Sequence, residues 1–451
     1  MEFKSINPYN AEQVGLYTAL TQEELAEKLN QNKAVFESWK MVPLAERCKL
    51  LKNAGQVLRD NVEEYAKMIT LEMGKPISES RSEVNKCAWI CDYYAENAEN
   101  FLADELIPTD AQQSFVRHDP IGSVLAIMPW NFPFWQVFRF AAPTLTAGNT
   151  GLLKHAPNVF GCGKLIEEVF IKAGYPANVF QTLIVHHDQT ESIIAHQSIR
   201  AITLTGSEKA GAAVATLAGK YIKKSVLELG GSNAFIVLED ADIDVAVKTA
   251  FTARMLNCGQ SCIAAKRFIL VESIYDEFVS KFIEAIRLLK SGDPLAESTT
   301  IGPMARIDLA DQLNAQVKES VAQGAKLLLG GQQKDFYHEP TILGDVEPGM
   351  PAFDQETFGP LAAMIKAKDI DHAFELSEKS NYGLGVTICT INTVKALKYA
   401  DKVSDGAYFI NEMVKSDPRL PFGGTKQSGY GRELAKDGMM EFVNRKTVYV
   451  K

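Results

Sequence analysis

Apolar residues recur at every third or fourth position over the first hundred residues, which is the spacing of an amphipathic helix. Residues 21–103 are therefore expected to be mostly helical, and the stretch from Leu44 to Met73 shows the spacing most clearly. Thr21, with Glu24 three residues later, forms a capping-box pattern that marks a helix start. The N-terminal part of the chain thus predicts helices rather than strands.

Beyond residue 120 the pattern changes to short apolar runs bounded by turn-forming residues, which are typical of buried strands. Such runs lie at 121–128, 151–154 and 201–205, and a helical stretch follows the second from Cys162 to Ala173. The alternation restarts at Ala234, with a strand at 235–238, a helix from Ile243 and a strand at 267–271. Alternating strands and helices form parallel sheets covered on both faces, so we expect an α/β fold with two such domains.

The length and the last residues bear on the domain organisation. A chain of 451 residues is too long for one ordinary core, so two or three domains are expected. Residues 446–451 are typical of an extended strand. Because an isolated terminal strand leaves its backbone groups unpaired, we expect it to pair with a neighbour, for instance in another subunit's sheet.

The composition excludes several classes of protein. With 46% hydrophobic and 23% charged residues, the chain is typical of globular proteins, and its formal net charge of −9 disfavours general binding to nucleic acid or to a membrane surface. No apolar run is long enough to span a bilayer, and residues 1–4 lack the pattern of a secretory signal, so neither a membrane span nor a signal peptide is expected. Its seven cysteines are odd in number and irregularly spaced, so they form no disulfide framework and favour a cytoplasmic location.

Cys262 ends the segment 257–262, NCGQSC, whose small residues allow a ligand to approach closely. A cysteine thiolate is a strong nucleophile, but a buried cysteine is about as often an inert core residue. Cys258, four residues earlier, could form a redox pair with Cys262, although unreactive packing is the simpler interpretation. The residues alone leave these interpretations open.

Two further segments carry polar residues at the ends of expected strands. Glu228 lies between apolar residues and precedes two glycines, so burial would raise its pKa and make it a candidate general base. Asn131, within the segment PWNFP, could donate a hydrogen bond to a developing oxyanion. The alternatives are a salt-bridged structural glutamate and a rigid turn in which Asn131 bonds to its own backbone.

A phosphate-binding turn is suggested by Gly206 and Ser207, which follow the expected strand at 201–205 and open a helix. Backbone N–H groups and the helix dipole bind phosphate at such positions. The spacing is not GxGxxG, so the signal is weak by itself. Lys154, at the end of the preceding expected strand, is placed to reach a ribose hydroxyl or a phosphate.

Seven segments in one order, PWNFP, LLKHAP, LTGS, LELGG, GQSC, ETFGP and PFGG, resemble the aldehyde dehydrogenase superfamily over essentially the whole chain. Within it, PWNFPFWQVFR and LLKHAPN are most similar to the shorter succinate-semialdehyde dehydrogenases, which use NAD or NADP. The resemblance implies that Cys262 is the nucleophile and Glu228 the general base. Asn131 and the backbone N–H of Cys262 would form the oxyanion hole.

The resemblance also implies a dinucleotide site. Glu356 is expected to hold the nicotinamide ribose, with Phe358 beside the nicotinamide half. Lys154 is expected at the adenine ribose, and Pro157 stands where NAD-preferring members commonly have a glutamate that repels a 2′-phosphate, so NADP⁺ is compatible with this position. The other expected cofactor contacts are Trp130, Gly206, Ser207 and Leu229.

For the substrate, the informative residue is Arg139, whose guanidinium suits a carboxylate. At i, i+4 spacing it shares a helical face with Trp135, and the resemblance implies that it grips the distal carboxylate of a semialdehyde. Ser261, beside the nucleophile, is a weaker candidate donor. A structural salt bridge is the alternative role for Arg139.

The resemblance implies a Rossmann-like cofactor domain (1–110 and 124–229), a catalytic α/β domain (230–420) and a small β oligomerisation element (111–123 and 436–451). Residues 421–435 would return the chain to the cofactor domain, and a homodimer or dimer-based homotetramer is expected. The first alternative is a broad-specificity enzyme or a dehydrogenase of another carboxyl-bearing semialdehyde. The others are a CoA-acylating enzyme, disfavoured by Glu228, and a non-catalytic relative, disfavoured by the presence of all three catalytic residue types. A serine hydrolase lacks its GxSxG motif, and the histidines show no metal-ligand spacing.

Overall fold

The computed structural model describes all 451 residues and contains two large sheets. The first sheet has six strands, of which five are parallel and the edge strand 429–430 is antiparallel. Their order is Gly429–Tyr430, Lys224–Glu228, Ile199–Thr205, Ser123–Met128, Thr150–His155 and Phe180–Thr182. The predicted strands at 121–128, 151–154 and 201–205 are confirmed, with ends that shift by about two residues.

The second sheet has seven strands, and all but the edge strand 326–329 run parallel. The strands follow the order Lys326–Leu329, Thr341–Gly344, Leu361–Ala367, Ala265–Val271, Asn233–Val237, Val386–Cys389 and Tyr408–Ile410. Helices cover its faces, so the α/β architecture expected from the alternating pattern is confirmed.

The C-terminal strand Val443–Val450 pairs antiparallel with Gln113–Pro120, which in turn pairs with Glu105–Leu106. The terminal strand therefore has its neighbour within the same chain, and its other edge remains unpaired. The remaining strands form three small antiparallel pairs: Glu2–Ile6 with Gln13–Thr18, Gln333–Lys334 with Tyr337–His338, and Tyr382–Gly383 with Thr425–Lys426.

Most of the first hundred residues are helical, as the pattern predicts. The capping box of Thr21 and Glu24 is present, but the stretch Leu44–Met73 forms two helices because Asn61 interrupts it with a non-helical backbone. The α-helices are Gln22–Trp39, Leu44–Asp60, Val62–Met73, Ile77–Phe101, Trp135–Thr146, Phe160–Lys172, Thr190–Ala195, Glu208–Lys220, Ile243–Met255, Tyr275–Arg287, Ile307–Ala322, Pro351–Asp354, Ile370–Glu378, Thr393–Leu397 and Ala435–Met440. None of them combines the length and apolarity that crossing a membrane requires.

The six-stranded sheet is buried on both faces. Successive side chains of its strand 123–128 alternate between two cores, since Val124 and Ala126 pack with the N-terminal helices and Leu125 packs with the opposite layer. The seven-stranded sheet has a separate core. The carboxyl ends of the six-stranded sheet face the segments around Cys262, and the candidate site lies there.

Candidate active site

The carboxyl ends of three neighbouring parallel strands carry the segments that the sequence singled out. These strands end at Met128, Thr205 and Glu228, and Leu204 lies beside both Ile127 and Leu227 in the sheet. The chain leaves the strands as 129–133, 206–207 and 229–231, which therefore gather at one edge. In open α/β sheets this edge is where ligands bind.

A cavity of about 580 Å³ opens at this edge. Six of the eight expected cofactor residues line it, together with Asn131 and Cys262: these six are Trp130, Gly206, Ser207, Leu229, Glu356 and Phe358. The Trp130 and Phe358 rings pack edge to face with their centres 5.7 Å apart. The two remaining expected residues, Lys154 and Pro157, lie outside the lining of the cavity.

A second cavity, of about 190 Å³, lies on the other side of Cys262. The three expected substrate residues, Trp135, Arg139 and Ser261, all line it. Of all the lining residues, Cys262 and Gln136 alone belong to both cavities. The thiol thus stands at the junction between a large cavity and a small one.

The backbone before Cys262 is tightly constrained. Asn257, Cys258 and Gly259 are all left-handed, with φ of 57°, 54° and 70°, and the two non-glycine residues adopt this conformation at a cost of about 1 kcal/mol or more each. The side chain of Asn257 donates to the carbonyl oxygens of Asn131, at 2.7 Å, and of Gln260, at 3.0 Å. This asparagine ties the nucleophile loop to the PWNFP segment, a role that sequence analysis missed.

Asn131 is buried, and its Nδ2 donates to the Gln260 carbonyl at 3.1 Å. An amide nitrogen carries two hydrogens, so one remains to donate towards the cavity that Cys262 also lines. His155 supports the same segment, because its Nε2 donates to the Pro133 carbonyl at 2.9 Å while its Nδ1 accepts from Ala156 N. Burial lowers the pKa of His155 to about 4, so this contact persists with a neutral ring.

Glu228 is 2% exposed, and neither of its carboxylate oxygens has a hydrogen-bond partner. Burial raises its pKa well above the usual range, and the nearby charge of Glu433 raises it further. Glu433, rather than Glu228, forms the buried ion pair with Arg139. The salt-bridged interpretation of Glu228 is therefore wrong, and the carboxylate that Arg139 neutralises is a residue that sequence analysis missed.

Arg139 has the contacts of a structural residue, although it also lines the small cavity. Besides the ion pair with Glu433, its guanidinium lies 3.4 Å from the Thr205 hydroxyl and 4.7 Å from the centre of the Phe422 ring. The side chain is 2% exposed. The structural salt bridge that was the alternative role for Arg139 is therefore present, with Glu433 as its partner.

Cys262 is partly buried, and this burial raises the pKa of its thiol to about 11. The positive charges of Arg139 and Lys266 act in the opposite direction and favour the thiolate. The Nζ of Lys266 donates to the Cys262 carbonyl at 2.8 Å and to the Ser261 carbonyl at 3.0 Å, and it lies 3.1 Å from Oε1 of Glu356. Lys266 therefore links the nucleophile loop to the carboxylate expected at the cofactor ribose.

Glycines in two of the motifs lie so close to other groups of the site that a side chain would collide with them. A side chain at Gly230 would collide with the Glu356 carboxylate, and one at Gly231 would lie 2.9 Å from the Cys262 carbonyl. A Cβ at Gly423 would lie 2.8 Å from Oε1 of Glu228. The LELGG and PFGG segments therefore need glycine to bring these groups together.

Comparison with known proteins shows that residues 1–448 match the aldehyde dehydrogenase family. The chain belongs to the aldehyde dehydrogenase family. It is 48% identical, over the full length of both chains, to a probable succinate-semialdehyde dehydrogenase [NADP(+)] of Synechocystis sp.. It is 47% identical to the succinate semialdehyde dehydrogenase [NAD(P)+] Sad of Escherichia coli, over 99% of this chain and 97% of that one.

A solved structure of a related enzyme is similar to this chain over almost its whole length. The succinic semialdehyde dehydrogenase of Streptococcus pyogenes, in complex with NADP⁺, superposes with a TM-score of 0.97 and 37% identity over 99% of each chain. The resemblance to the family that the seven sequence segments indicated is thus confirmed.

The region around the expected adenine ribose contains Lys154 and has no acid at position 157. Lys154 lies in the strand Thr150–His155, and burial lowers its pKa. Its ammonium group forms no hydrogen bond or ion pair with a carboxylate. Pro157 is exposed and begins a 3₁₀ turn. Ser207 caps the helix Glu208–Lys220, whose N-terminus borders the large cavity.

Cys258 and Cys262 are both free thiols with different surroundings. Cys258 is 1% exposed and packs in the core of the seven-stranded sheet, where burial raises its pKa to about 12. Cys262 instead borders both cavities. The packing favours the unreactive interpretation of Cys258.

A cluster of possible metal ligands lies at the surface, outside both cavities. The ligand atoms of His186, His187 and Asp188 all lie within 4.8 Å of one another. Adjacent histidines diverge on a regular element, but here His186 precedes a 3₁₀ turn, which lets the two rings approach to 3.8 Å between centres. Both histidines contact the Asp188 carboxylate at 2.9 Å, so they already have a partner.

Proposed function

We propose that this chain oxidises succinic semialdehyde to succinate with NADP⁺ or NAD⁺, through a thioester on Cys262. The observation that carries the proposal is the position of Cys262 at the junction of the two cavities. The large cavity suits a dinucleotide and the small one a short aldehyde. The curated relatives named above act on succinic semialdehyde, which favours this substrate.

The residues of the large cavity fit a nicotinamide dinucleotide. Ser207 and Gly206 would hold the pyrophosphate at a helix N-terminus, Glu356 would hold the nicotinamide ribose, and Phe358 would contact the nicotinamide half. When bound, the dinucleotide supplies the hydride acceptor. Lys154 and Pro157 together favour acceptance of NADP⁺, because a 2′-phosphate would meet a positive charge and no acid at position 157.

The first chemical step is attack of the Cys262 thiolate on the aldehyde carbon, which gives a thiohemiacetal. The negative charge that develops on oxygen would be stabilised by Nδ2 of Asn131 and the backbone N–H of Cys262. Loss of hydride then converts the thiohemiacetal into a thioester on Cys262. Lys266 would hold the loop in place during both steps through the Ser261 and Cys262 carbonyls.

Hydrolysis of the thioester requires a base that takes a proton from water. Glu228 suits this role because its carboxylate is buried, has no hydrogen-bond partner and has a raised pKa, which makes it a stronger base than an exposed glutamate. Water adds to the acyl carbon, the carbon–sulfur bond breaks, and the acid and the Cys262 thiol are released. A CoA-acylating enzyme would transfer the acyl group to CoA instead, and Glu228 favours hydrolysis.

The finer assignments of domains, assembly and location are proposed on the same basis. The six-stranded sheet would belong to the cofactor domain, the seven-stranded sheet to the catalytic domain, and the strand pair 113–120 and 443–450 to an oligomerisation element. The unpaired edge of Val443–Val450 supports a dimer or a dimer-based tetramer. The free thiols favour a reducing compartment such as the cytoplasm.

The test measures NADPH and NADH formation by the purified protein with succinic semialdehyde and with butyraldehyde, which lacks the carboxylate. We expect a higher kcat/KM for the semialdehyde, formation of succinate without CoA, and no turnover by Cys262→Ala. Equal use of the two aldehydes would leave a general aldehyde dehydrogenase. A product that appears only with CoA would replace hydrolysis by acyl transfer, and full turnover by Cys262→Ala would overturn the thioester mechanism.

A further inference from the structure

Three cationic side chains line the small cavity: Lys86, Arg139 and Lys415. Two of them are paired with acids, because Arg139 forms the buried ion pair with Glu433 and Lys415 lies 2.8 Å from Glu412. Lys86 forms no ion pair. It is therefore the cation of this cavity whose charge is not neutralised by a carboxylate of the protein.

Lys86 is held in position by two uncharged groups. It lies on the helix Ile77–Phe101, and its Nζ donates to the Ser416 hydroxyl at 2.9 Å. The same Nζ lies 4.1 Å from the centre of the Trp135 ring, in a cation–π contact. These contacts fix the ammonium group at the cavity wall and leave its charge free to attract an anion.

The Ser416 hydroxyl can also donate a hydrogen bond to a ligand in the cavity. Its oxygen accepts from Lys86 Nζ and, at 3.0 Å, from Nε1 of Trp135. A hydroxyl oxygen has two acceptor positions, and both are occupied here, so its own hydrogen remains for a further acceptor. The ammonium group and this hydroxyl therefore lie next to each other at the wall and can both donate to one anion.

The two acids of the same helix that line the cavity have other partners. Glu83 binds Lys75 Nζ at 2.5 Å and accepts from the backbone N–H groups of Phe134 and Trp135. Glu79 accepts from the backbone N–H of Asn257 at 2.8 Å. Neither carboxylate is bonded to Lys86.

We propose that Lys86 is a specificity-determining residue that binds the distal carboxylate of a short ω-carboxyaldehyde whose carbonyl carbon lies at Cys262. The inference rests on the proposed function and deepens it, because it adds Lys86 to Arg139, the residue that the family resemblance already places at the carboxylate. Lys86 and Cys262 line the same small cavity, so a substrate within it can contact both.

The electrostatics agree with this assignment. Burial, together with the positive charge of Arg139, lowers the pKa of Lys86 to about 8. The acidic groups that face it, Cys87, Asp417 and Glu83, only partly offset this effect. A bound carboxylate would raise the pKa of Lys86, and loss of its proton above about pH 8 should weaken recognition of anionic substrates.

The test compares Lys86→Met and Lys86→Arg with the wild-type enzyme on succinic semialdehyde and on butyraldehyde. Lys86→Met should lower kcat/KM for the semialdehyde by about 10- to 100-fold, mainly through KM, and should affect butyraldehyde far less. Lys86→Arg should retain much of the preference because it keeps the charge. Lys415→Met is the matched control, since it removes a cavity-wall charge that Glu412 already neutralises.

A second measurement reports binding without turnover of the semialdehyde. Succinate should inhibit butyraldehyde oxidation by the wild-type enzyme and should inhibit Lys86→Met at least about tenfold more weakly. If the wild-type enzyme prefers the semialdehyde and Lys86→Met keeps both that preference and the inhibition by succinate, the role of Lys86 is overturned. If the wild-type enzyme shows no preference for the semialdehyde, the proposed function fails instead.

Discussion

Arg139 and Glu433 form an ion pair that is almost completely buried, although the two residues are almost three hundred positions apart in the chain. The pair lies next to Glu228, whose pKa responds to both charges. By binding Arg139, Glu433 leaves the Glu228 carboxylate without a partner. Of these two neighbouring buried glutamates, Glu433 is therefore paired and Glu228 is not.

Loss of Arg139 should destabilise the fold. Arg139→Met leaves the Glu433 carboxylate buried and unpaired, so we expect the free energy of unfolding to fall by about 3–5 kcal/mol. Denaturant unfolding of the single variants and of Arg139→Met/Glu433→Gln measures the coupling between the two side chains. A smaller loss in the double variant than in Arg139→Met is expected, and strictly additive losses would show that the pair is not coupled.

Gly423→Ala should impair hydrolysis of the thioester. The added Cβ would lie 2.8 Å from Oε1 of Glu228 and 2.7 Å from the Gly431 carbonyl oxygen, so the Glu228 carboxylate and the neighbouring backbone have to shift. We expect a burst of reduced cofactor followed by slower steady-state turnover, measured by stopped-flow absorbance. Gly219→Ala is the matched control, because a Cβ there meets nothing within 4 Å. Equal kinetics for the two variants would contradict the proposed role of Glu228.

Asn131→Ala should lower kcat by about 10²–10³-fold, which is the typical loss for one oxyanion donor. The rate of NADPH formation in a single turnover tests this, because it reports formation and collapse of the thiohemiacetal directly. Asn131→Asp should be equally impaired, since a carboxylate would repel the developing oxyanion. A single-turnover rate within about twofold of the wild type would remove Asn131 from the oxyanion hole.

The reactivity of Cys262 should rise with pH. Its pKa is raised to about 11, so the thiolate fraction grows about tenfold for each pH unit well below that value. Iodoacetamide inactivation, followed by loss of dehydrogenase activity, should therefore accelerate between pH 7 and about 9 without reaching a plateau. A plateau that begins below pH 8 would show that the thiolate is far more stable than its burial implies. Peptide mapping checks that the modified residue is Cys262.

Much of the candidate site could be predicted from the sequence because its residues lie in short segments at strand ends. Asn131, Ser207 and Glu228 each follow or end a strand-forming apolar run, and Cys262 ends a segment of small residues. The structure brings these segments to one edge of the six-stranded sheet. Gln136, Asn257 and Lys266 were missed. Their hydrogen bonds or cavity positions depend on partners from other segments, and nothing in the local pattern marks them.

The amino-acid sequence by itself determined the alternation of strands and helices, and hence the α/β fold, since side-chain period and turn residues act over a few positions. It also determined the family, because seven short segments occur in the order that is typical of that family. The tertiary structure alone decided which charges are paired. Arg139 has Glu433 as its ion-pair partner and Lys86 lines the small cavity without one, because charge pairing depends on distances between side chains that only packing brings together.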